Sequence, residues 1–351
     1  MTTTSATSMR QEIEEQPAAI ARTLASLRPL AEDLRRVARG CRQVLFIARG
    51  SSDNAAVYGQ YLCSVRGGRL GTLASPSVAT AYRASVDLSG VLAVAVSQSG
   101  ATEEIVAALD WARGCGARTV AVTNVADSPL ARDADVALVT QAGHEQAVPA
   151  TKTYTTQLAA LAVLGLALGD AALSALDAVP DAVAAALAAA PAAEVLAREL
   201  TYVDRLVVTG RGYASSTALE LALKLKEACY VSASGLSYAD LLHGPIAAVG
   251  PTTPALLVAA ADGPMLAGMV ALAARLSSTG AHMYGIGGDQ GFVTACRTTL
   301  PGTSLPEHLA PMALIVPGQL LVEALARAKG IDPDTPRGLR KVTQTDTRSG
   351  V

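Results

Sequence analysis

A short loop of hydroxyl and amide side chains has the composition of an anion-binding site. It follows an apolar run at residues 91–96 and precedes an amphipathic run that starts near Ile105. Its residues are Ser97, Gln98, Ser99, Gly100, Ala101 and Thr102. Glycine allows the main-chain N–H groups to approach a ligand, and a helix N-terminus attracts a phosphate without lysine or arginine. The alternative is that Ser99 or Thr102 only caps the helix.

A second candidate site is a charged pair within a helical run. Lys224 and Glu227 are three residues apart and share a helix face, whereas Lys226 lies on another face. In a pocket, the carboxylate can act as a general base while the ammonium stabilises developing negative charge. The alternative is a solvated surface pair without a catalytic role.

Among the four histidines, His243 has the most suggestive surroundings, since Gly244 and Pro245 follow it and end a helical run. Such a histidine can simply favour the helix dipole, but on an exposed loop it can also exchange protons near neutral pH. His144, His282 and His308 are predicted to be structural or surface residues. The sequence shows no metal-ligand spacing, Walker loop or nucleophile elbow, so we predict neither a metal nor a nucleotide cofactor.

The elements that would position these residues alternate between strands and helices. Predicted strands lie at residues 44–48, 91–96, 119–123 and 136–139, and a second series lies at 206–209, 255–259 and 282–286. This alternation is typical of parallel sheets flanked by helices, where ligands bind beyond the carboxyl ends of the strands. Ser97 and Ser52 both follow such ends. The hydroxyl of Ser52 can therefore donate a further hydrogen bond to the same anion.

The two series are copies of one unit. Arg49-Gly50 and Arg211-Gly212 each follow a strand, and the separation between them equals that between Ser97 and Ala259. In the second copy the loop reads Ala-Ala-Ala-Asp and lacks the hydroxyls. If the serines only capped a helix, both copies would need them, so their loss favours the anion site. An alanine-rich connector at 169–198 is predicted to be helical.

Composition restricts the class of ligand. The 351 residues allow two domains, and a net charge of −2 with 3% aromatic residues argues against nucleic-acid binding and sugar stacking. A small molecule held by hydrogen bonds is the remaining expectation. Five dispersed cysteines predict reduced thiols, and the N-terminus lacks the features of a signal peptide. The most apolar stretch, 158–168, is shorter than the roughly 20 residues that span a membrane. We therefore predict a cytoplasmic protein.

Several ordered motifs resemble the double sugar isomerase (SIS) domain found in glucosamine-6-phosphate synthase and in amino-sugar-phosphate deaminases and isomerases. They are Ser97-Gln98-Ser99-Gly100, Ala142-Gly143-His144-Glu145, Ala150-Thr151-Lys152, residues 222–227 and Leu242-His243-Gly244-Pro245. The resemblance implies an α/β fold with two duplicated, flavodoxin-like SIS lobes, each a parallel sheet flanked by helices. The predicted boundaries are 9–170 and 198–328 for the lobes, 171–197 for a helical connector and 329–351 for a tail.

The resemblance also implies roles for individual residues. Glu227 transfers a proton between C1 and C2 of a sugar, Lys224 lies beside it, His243 assists ring opening from the neighbouring subunit of a homodimer, and Lys341 meets the open-chain carbonyl. The 6-phosphate is bound by Ser52, Ser97, Gln98, Ser99 and Thr102. Further sugar contacts are predicted at Gly50, Ser51, Val148 and Ala150. No cofactor is expected.

The chain also departs from the synthase pattern. We expect no glutaminase domain before the first lobe, and hence no ammonia production from glutamine. The tail reads Pro-Arg-Gly-Leu-Arg-Lys in place of Pro-Arg-Asn-Leu-Ala-Lys, while Asp240, Leu242 and Pro149 differ near the sugar. The favoured hypothesis is deamination of glucosamine 6-phosphate to fructose 6-phosphate and ammonia. Alternatives are a dehydratase of N-acetylamino sugar 6-phosphates and a sugar-phosphate sensor without catalysis.

Overall fold

The computed structural model describes residues 6–341, which form two compact units. The first-sheet unit contains Ala18–His144, Thr153–Asp177 and the described residues from Arg340 onward. The second-sheet unit contains the described residues up to Pro17, the segment Glu145–Lys152 and Ala178–Leu339. The N-terminal helix and residues 145–152 therefore pack with the second sheet, although they precede it in the chain.

The first sheet is parallel throughout and has the order β2-β1-β3-β4-β5. Its strands are β1 (Gln43–Ile47), β2 (Leu70–Leu73), β3 (Val91–Val96), β4 (Arg118–Thr123) and β5 (Val136–Val139). The four predicted strands are confirmed. The one missed, β2, is a four-residue edge strand with exposed leucines at both ends, so it lacks the apolar run that marks a central strand.

Helices cover this sheet. After α1 (Ser8–Glu14), which belongs to the second-sheet unit, the chain forms α2 (Gln16–Leu27), α3 (Ala31–Val37), α4 (Ser51–Val65), α5 (Ser77–Thr80), α6 (Glu103–Gly114), α7 (Pro129–Asp133) and α8 (Lys152–Leu168). Every residue of α8 is buried, which accounts for the apolar run from Leu158 to Leu168 that forms most of the helix. One face of the sheet packs Ile47, Ala93 and Ile105 into a common core.

The second sheet repeats the arrangement with the parallel order β10-β9-β8-β6-β7. Its strands are β6 (Arg205–Gly210), β7 (Ser232–Ser237), β8 (Ala255–Ala259), β9 (Met283–Gly287) and β10 (Thr298–Leu300). The three predicted strands, β6, β8 and β9, are the central ones of this sheet. The missed strands are at the edges, where β7 is rich in serine and glycine and β10 has only three residues.

The helices of the second-sheet unit include the predicted helical connector. They are α9 (Val179–Ala186), α10 (Ala190–Leu200), α11 (Ala214–Cys229), α12 (Tyr238–Leu242), α13 (Leu266–Ser277), α14 (Gln290–Ala295) and α15 (Pro311–Ala328). α11 packs against β6, β7 and α15. It is the helix predicted to carry Lys224 and Glu227, and it ends where Tyr230 adopts a left-handed conformation (φ 54°).

The duplication is confirmed in the backbone. Read from the edge, both sheets have the flavodoxin-like 2-1-3-4-5 order. Gly50 (φ 60°) and Gly212 (φ 61°) both have a positive φ at the corresponding turn after β1 and β6. The chain therefore has the predicted architecture of two α/β lobes.

Two helical stretches among the described residues are long and apolar enough to cross a membrane, judged by length and composition alone. They are Leu173–Leu200 and Pro311–Ala328, both longer than the apolar run at 158–168. The second is 89% buried within the protein, as expected for a core helix, and the first is interrupted by 3-10 turns before α9 and between α9 and α10. These stretches are a weak indication of a membrane, and the expectation that none is bound stays a prediction.

All five cysteines are free thiols, and four of them are buried: Cys41, Cys63, Cys229 and Cys296. Burial raises the pKa of Cys63 and of Cys229 to about 12, so both remain protonated at neutral pH. This agrees with packing roles for these thiols. The cytoplasmic location itself stays a prediction.

Candidate functional site

The charged pair in α11 is buried in the second-sheet unit. The side chain of Lys224 is 1% exposed and pairs with two carboxylates on its own helix, those of Glu220 and Glu227. Its Nζ lies 3.5 Å from Oε1 of Glu220, which is fully buried, and it contacts Glu227 directly. The alternative of a solvated surface pair is therefore wrong. Glu227 retains 22% of its side-chain exposure, so its carboxylate is the accessible member of the group.

The electrostatics keep Lys224 charged. Burial works against the ammonium, but the negative charges of Glu220, Glu227 and Glu145 outweigh it, and the pKa of Lys224 is raised above its ordinary value. A lysine held as a cation cannot serve as a base at neutral pH. The arrangement instead supplies a fixed positive charge beside an accessible carboxylate, which suits proton abstraction next to a carbonyl.

Glu145 organises the segment at 145–152, on which two predicted sugar contacts lie. Its buried carboxylate accepts hydrogen bonds from the backbone N–H (2.8 Å) and the hydroxyl (3.2 Å) of Thr151. Val148 donates its N–H to the carbonyl oxygen of Asp334 (2.9 Å). Val148 and Ala150 are both partly exposed. They lie on a loop that is held by the hydrogen bonds of Glu145 with Thr151 and of Val148 with Asp334.

Glu12 holds the same loop from α1. It is 4% exposed, and its carboxylate accepts the backbone N–H groups of Gln146 and of Ala147 (3.3 Å). Burial raises the pKa of Glu12, and the neighbouring charge of Glu145 adds to this, although the backbone hydrogen bonds oppose it. The N-terminal helix therefore takes part in building the candidate site.

The tail docks on the end of α11. The backbone N–H of Arg337 donates to the hydroxyl of Tyr230 (2.8 Å), and the guanidinium lies 4.3 Å above the centre of the same ring. Lys341 is the last described residue and is partly buried. Its proposed contact with an open-chain carbonyl stays a prediction.

His243 lies on the exposed loop that was expected. It ends α12, its backbone N–H donates to the carbonyl oxygen of Asp240 (3.1 Å), and Gly244 follows with a positive φ. The imidazole is accessible to solvent. Its part in ring opening stays a prediction.

The hydroxyl loop at 97–102 lies in the first-sheet unit, at the carboxyl end of β3. Gly100 has a φ of +61°. The carbonyl of Gln98 accepts the backbone N–H of Asn124 (3.0 Å), and that of Gly100 accepts the N–H of Leu130 (3.1 Å). These bonds fix the loop from the neighbouring β4 and α7. Its N–H groups and hydroxyls are thereby arranged before any ligand arrives.

The serines and threonine do not behave as helix caps. Thr102 precedes α6, whose N–H groups at Ile105 and Val106 are accepted by the backbone carbonyl of Thr102 (3.0 and 3.1 Å). Its hydroxyl instead lies 3.4 Å from that of Ser97. Ser99 accepts the N–H of Ala101 (3.3 Å), which lies before the helix. The capping alternative is therefore not supported by the hydrogen bonds of the described residues.

The loop after β1 lies beside the one after β3, since these strands are neighbours in the sheet. Gly50 turns the chain into α4, and the buried hydroxyl of Ser52 accepts a hydrogen bond from Gln157 (3.0 Å). Arg49 forms a two-pronged ion pair with Glu104 in the first turn of α6, with both N···O distances 3.0 Å. This pair joins the two loops and neutralises the arginine, so hydroxyls and backbone N–H groups remain to bind an anion.

Each unit therefore brings together one group of predicted residues. The first-sheet unit holds Gly50, Ser51, Ser52, Ser97, Gln98, Ser99 and Thr102. The second-sheet unit holds Val148, Ala150, Lys224, Glu227 and His243. Residues 6–341 include no cluster of three or more histidine, cysteine or acidic side chains able to hold a metal ion.

Sequence reasoning missed four charged residues of these sites: Glu12, Arg49, Glu145 and Glu220. Glu220 was within reach, because it lies four residues before Lys224 on the same helix face. Glu145 stood in a motif that was noticed but given no role. Glu12 is distant in sequence from the loop that it holds. Arg49 and Glu104 are 55 residues apart in the sequence and meet only because β1 and β3 are neighbours in the sheet. No short sequence pattern predicts their ion pair.

Comparison with known proteins places the chain in a family. The SIS domain family matches it twice, over residues 39–167 and 199–323. A relative described as a glutamine–fructose-6-phosphate aminotransferase (isomerizing), from Thermococcus kodakarensis, is 33% identical over 344 residues, which are 95% of this chain and 57% of the relative. The chain thus spans little more than half the length of that relative.

Two solved structures have the same fold. A protein from Silicibacter pomeroyi, provisionally assigned as a phosphosugar isomerase, is 35% identical with a TM-score of 0.84, over 94% of this chain and 100% of that one. The C-terminal domain of a glucosamine-fructose-6-phosphate aminotransferase from Francisella tularensis is 26% identical with a TM-score of 0.85, over 96% and 100%. Both match across the two lobes.

Proposed function

The chain belongs to the SIS domain family and is an enzyme of that family, and from this premise we propose that it is a phosphosugar isomerase that deaminates an amino sugar 6-phosphate. The substrate is glucosamine 6-phosphate in its open-chain form. The products are fructose 6-phosphate and ammonia.

The observation that supports the proposal is the difference in solvent exposure among three charged side chains of α11. Lys224 and Glu220 are buried, while Glu227 is partly accessible. Because the ammonium is fixed in place, the proton that moves is exchanged at Glu227. The ammonium of Lys224 beside it stabilises the negative charge that develops on the substrate as an enolate-like species forms.

The chemistry needs one base and water. Glu227 takes the proton from C2 of the open-chain aldehyde, and the electron pair forms an enolamine. Return of the proton to C1, with transfer of an amine proton to O1, gives a C1 alcohol and a C2 imine. Water then adds to the imine and ammonia leaves, so the C2 carbonyl of the ketose is formed. This sequence consumes one water and is redox-neutral.

The loop at 97–102 supports the choice of a phosphorylated substrate. Backbone N–H groups and hydroxyls at a helix N-terminus bind a phosphate well. We propose that Ser52, Ser97, Gln98, Ser99 and Thr102 bind the 6-phosphate, with Gly50, Ser51, Val148 and Ala150 contacting the sugar. We also propose a cytoplasmic homodimer in which His243 serves the partner's site, without a cofactor, nucleic acid or membrane.

The test is incubation of the purified protein with glucosamine 6-phosphate, its N-acetyl form, and fructose 6-phosphate plus ammonia, with products followed by mass spectrometry. Ammonia and fructose 6-phosphate from the free amine are expected. Loss of one water from the acetylated sugar would instead identify a dehydratase. Binding of the sugar phosphates without turnover would identify a sensor.

The matched variants are Glu227→Gln and Glu14→Gln, the latter on the exposed face of α1. Glu227→Gln is expected to abolish turnover while phosphate affinity is retained, and Glu14→Gln to have no effect. Full activity of Glu227→Gln would overturn the assignment of the base. Gel filtration tests the homodimer.

A further inference from the structure

Glu307 in the second-sheet unit packs against two glycines that border the carboxyl ends of β6 and β8. A Cβ atom built on Gly212 would lie 3.3 Å from its Oε1. A Cβ atom on Gly263 would collide with Oε2 and would lie 3.1 Å from Cβ of Glu307. Both glycines have positive φ, 61° and 92°. The carboxylate therefore lies directly on the backbone of the two turns.

This position corresponds to the candidate phosphate site of the first-sheet unit. In a sheet of this order, the crevice at the switch point lies between the first and third strands, β1 and β3 in one unit and β6 and β8 in the other. Gly50 and Gly212 have nearly the same positive φ at that crevice. The two crevices thus correspond in sheet topology and in the position of this glycine.

The crevices differ in what fills them. At Gly50 a Cβ atom would meet no described atom within 4 Å, whereas at Gly212 it would lie 3.1 Å from Cγ of Met265 and 3.3 Å from Oε1 of Glu307. The hydroxyl loop of the first copy is replaced by Ala259, Ala260, Ala261 and Asp262. The next helix, α13, has no acidic residue in its first turn, although a helix N-terminus favours a negative charge.

The segment that carries Glu307 is held in place by its neighbour. The ring of His308 lies 6.4 Å from that of Tyr213, which follows Gly212 in the turn. Glu307 itself is only partly exposed. The segment that carries the carboxylate therefore packs beside the turn at Gly212.

We propose that the carboxylate of Glu307 is an internal anion that occupies the second lobe's counterpart of the phosphate site. It leaves the chain with one sugar-phosphate site instead of two. When the carboxylate and its side chain are removed, the emptied crevice binds inorganic phosphate.

The experiment compares the wild-type chain with Glu307→Ala and Glu307→Gln. Bound phosphate per chain is counted by equilibrium dialysis with radioactive inorganic phosphate, and melting temperatures are measured in phosphate and in chloride at equal ionic strength. Glu307→Ala is expected to bind one more phosphate per chain than the wild type. It should melt at a lower temperature in chloride and regain stability in phosphate. Glu307→Gln fills the crevice without charge, so it should lose stability without gaining phosphate.

The increment in bound phosphate decides the proposal, whatever the wild-type count is. A wild-type count of zero would contradict phosphate binding at the loop 97–102, but an increment of one would still support the role of Glu307. An unchanged count in Glu307→Ala, with equal melting temperatures in phosphate and chloride, would overturn it. If Glu307→Ala is recovered unfolded, refolding is compared in the two salts: rescue by phosphate supports the proposal, and failure in both overturns it.

Discussion

In α11, the ammonium of Lys224 forms an ion pair with the carboxylate of Glu227, three residues further along the same helix. The two side chains differ sharply in burial, since only that of Glu227 reaches solvent. Glu220, one turn before Lys224, provides a second carboxylate that is fully buried. The cation is therefore surrounded by the protein, while one of its partners is free to meet a ligand.

Replacement of Lys224 by methionine should destabilise the protein strongly, because the buried carboxylate of Glu220 loses its cation. Breaking a buried pair from one side costs about 3–5 kcal/mol in the free energy of unfolding. The measurement is urea denaturation at neutral pH. Lys226→Met on the exposed face of the same helix is the matched control and should change stability little.

The double variant Glu220→Gln/Lys224→Met separates charge from packing. It also removes the buried negative charge that Lys224 balanced, so it should be more stable than Lys224→Met alone. If the double variant is less stable by the sum of the single effects, the two residues are not coupled and this account of the cluster is wrong.

Glu12 should make stability depend on pH in a defined direction. Burial raises its pKa in the folded state above the ordinary value of 4.5, so the folded protein binds this proton more tightly than the unfolded chain. The favourable contribution is complete below pH 4.5. It is lost as the pH rises through the folded-state pKa, and the stability contributed by Glu12 is constant above it.

The measurement is the free energy of unfolding of the wild type minus that of Glu12→Gln, taken between pH 4 and pH 8 by urea denaturation. This difference should fall with rising pH and then level off. The exposed Glu14→Gln is the control for general charge effects. A difference that rises with pH would show that the backbone hydrogen bonds from Gln146 and Ala147 outweigh burial.

The central strands and the helix that carries Lys224 and Glu227 could be predicted because their signals are local. Continuous apolar runs predict β3 and β8, and a spacing of three residues predicts the shared helix face. The edge strands β2, β7 and β10 are short or partly exposed, so the same pattern does not reveal them. A repeated Arg-Gly turn predicted the duplication, and the matching φ values of Gly50 and Gly212 agree with it.

The supporting contacts of the sites could not be predicted from the sequence. The bonds from Gln146 and Ala147 to Glu12 join segments that are far apart in the chain. The contact between Glu307 and Gly263 likewise depends on how a loop returns to the sheet. Such contacts follow from the packing of whole elements, and no local spacing encodes them.

Gly100→Ala should disrupt the loop at 97–102 by collision as well as by backbone strain. The residue has a φ of +61°, and an added Cβ atom would overlap the side chain of Ser128. Gly143 has a similar φ of +76° but open space around its Cβ position, so Gly143→Ala carries the strain alone, about 1–2 kcal/mol. Thermal melting and the KM for the sugar phosphate are the measurements. Gly100→Ala should be the less stable variant and should alone raise KM; equal effects would mean that the loop tolerates the added atom.

Arg49→Ala should weaken substrate binding even though the arginine itself is neutralised. The change leaves the buried carboxylate of Glu104 without its two-pronged partner, in the first turn of α6 beside the predicted phosphate loop. A negative charge at that place that Arg49 no longer neutralises repels a phosphate, so KM for the sugar phosphate should rise about tenfold, equivalent to about 1.4 kcal/mol, with kcat little changed. Arg113→Ala, which removes a surface partner of Asp110 on the same helix, should leave KM unchanged. The double variant Arg49→Ala/Glu104→Gln should recover most of the lost affinity, because no carboxylate remains to be neutralised. Should it bind as weakly as Arg49→Ala, the arginine contacts the substrate directly and its neutralisation by Glu104 is not what governs binding.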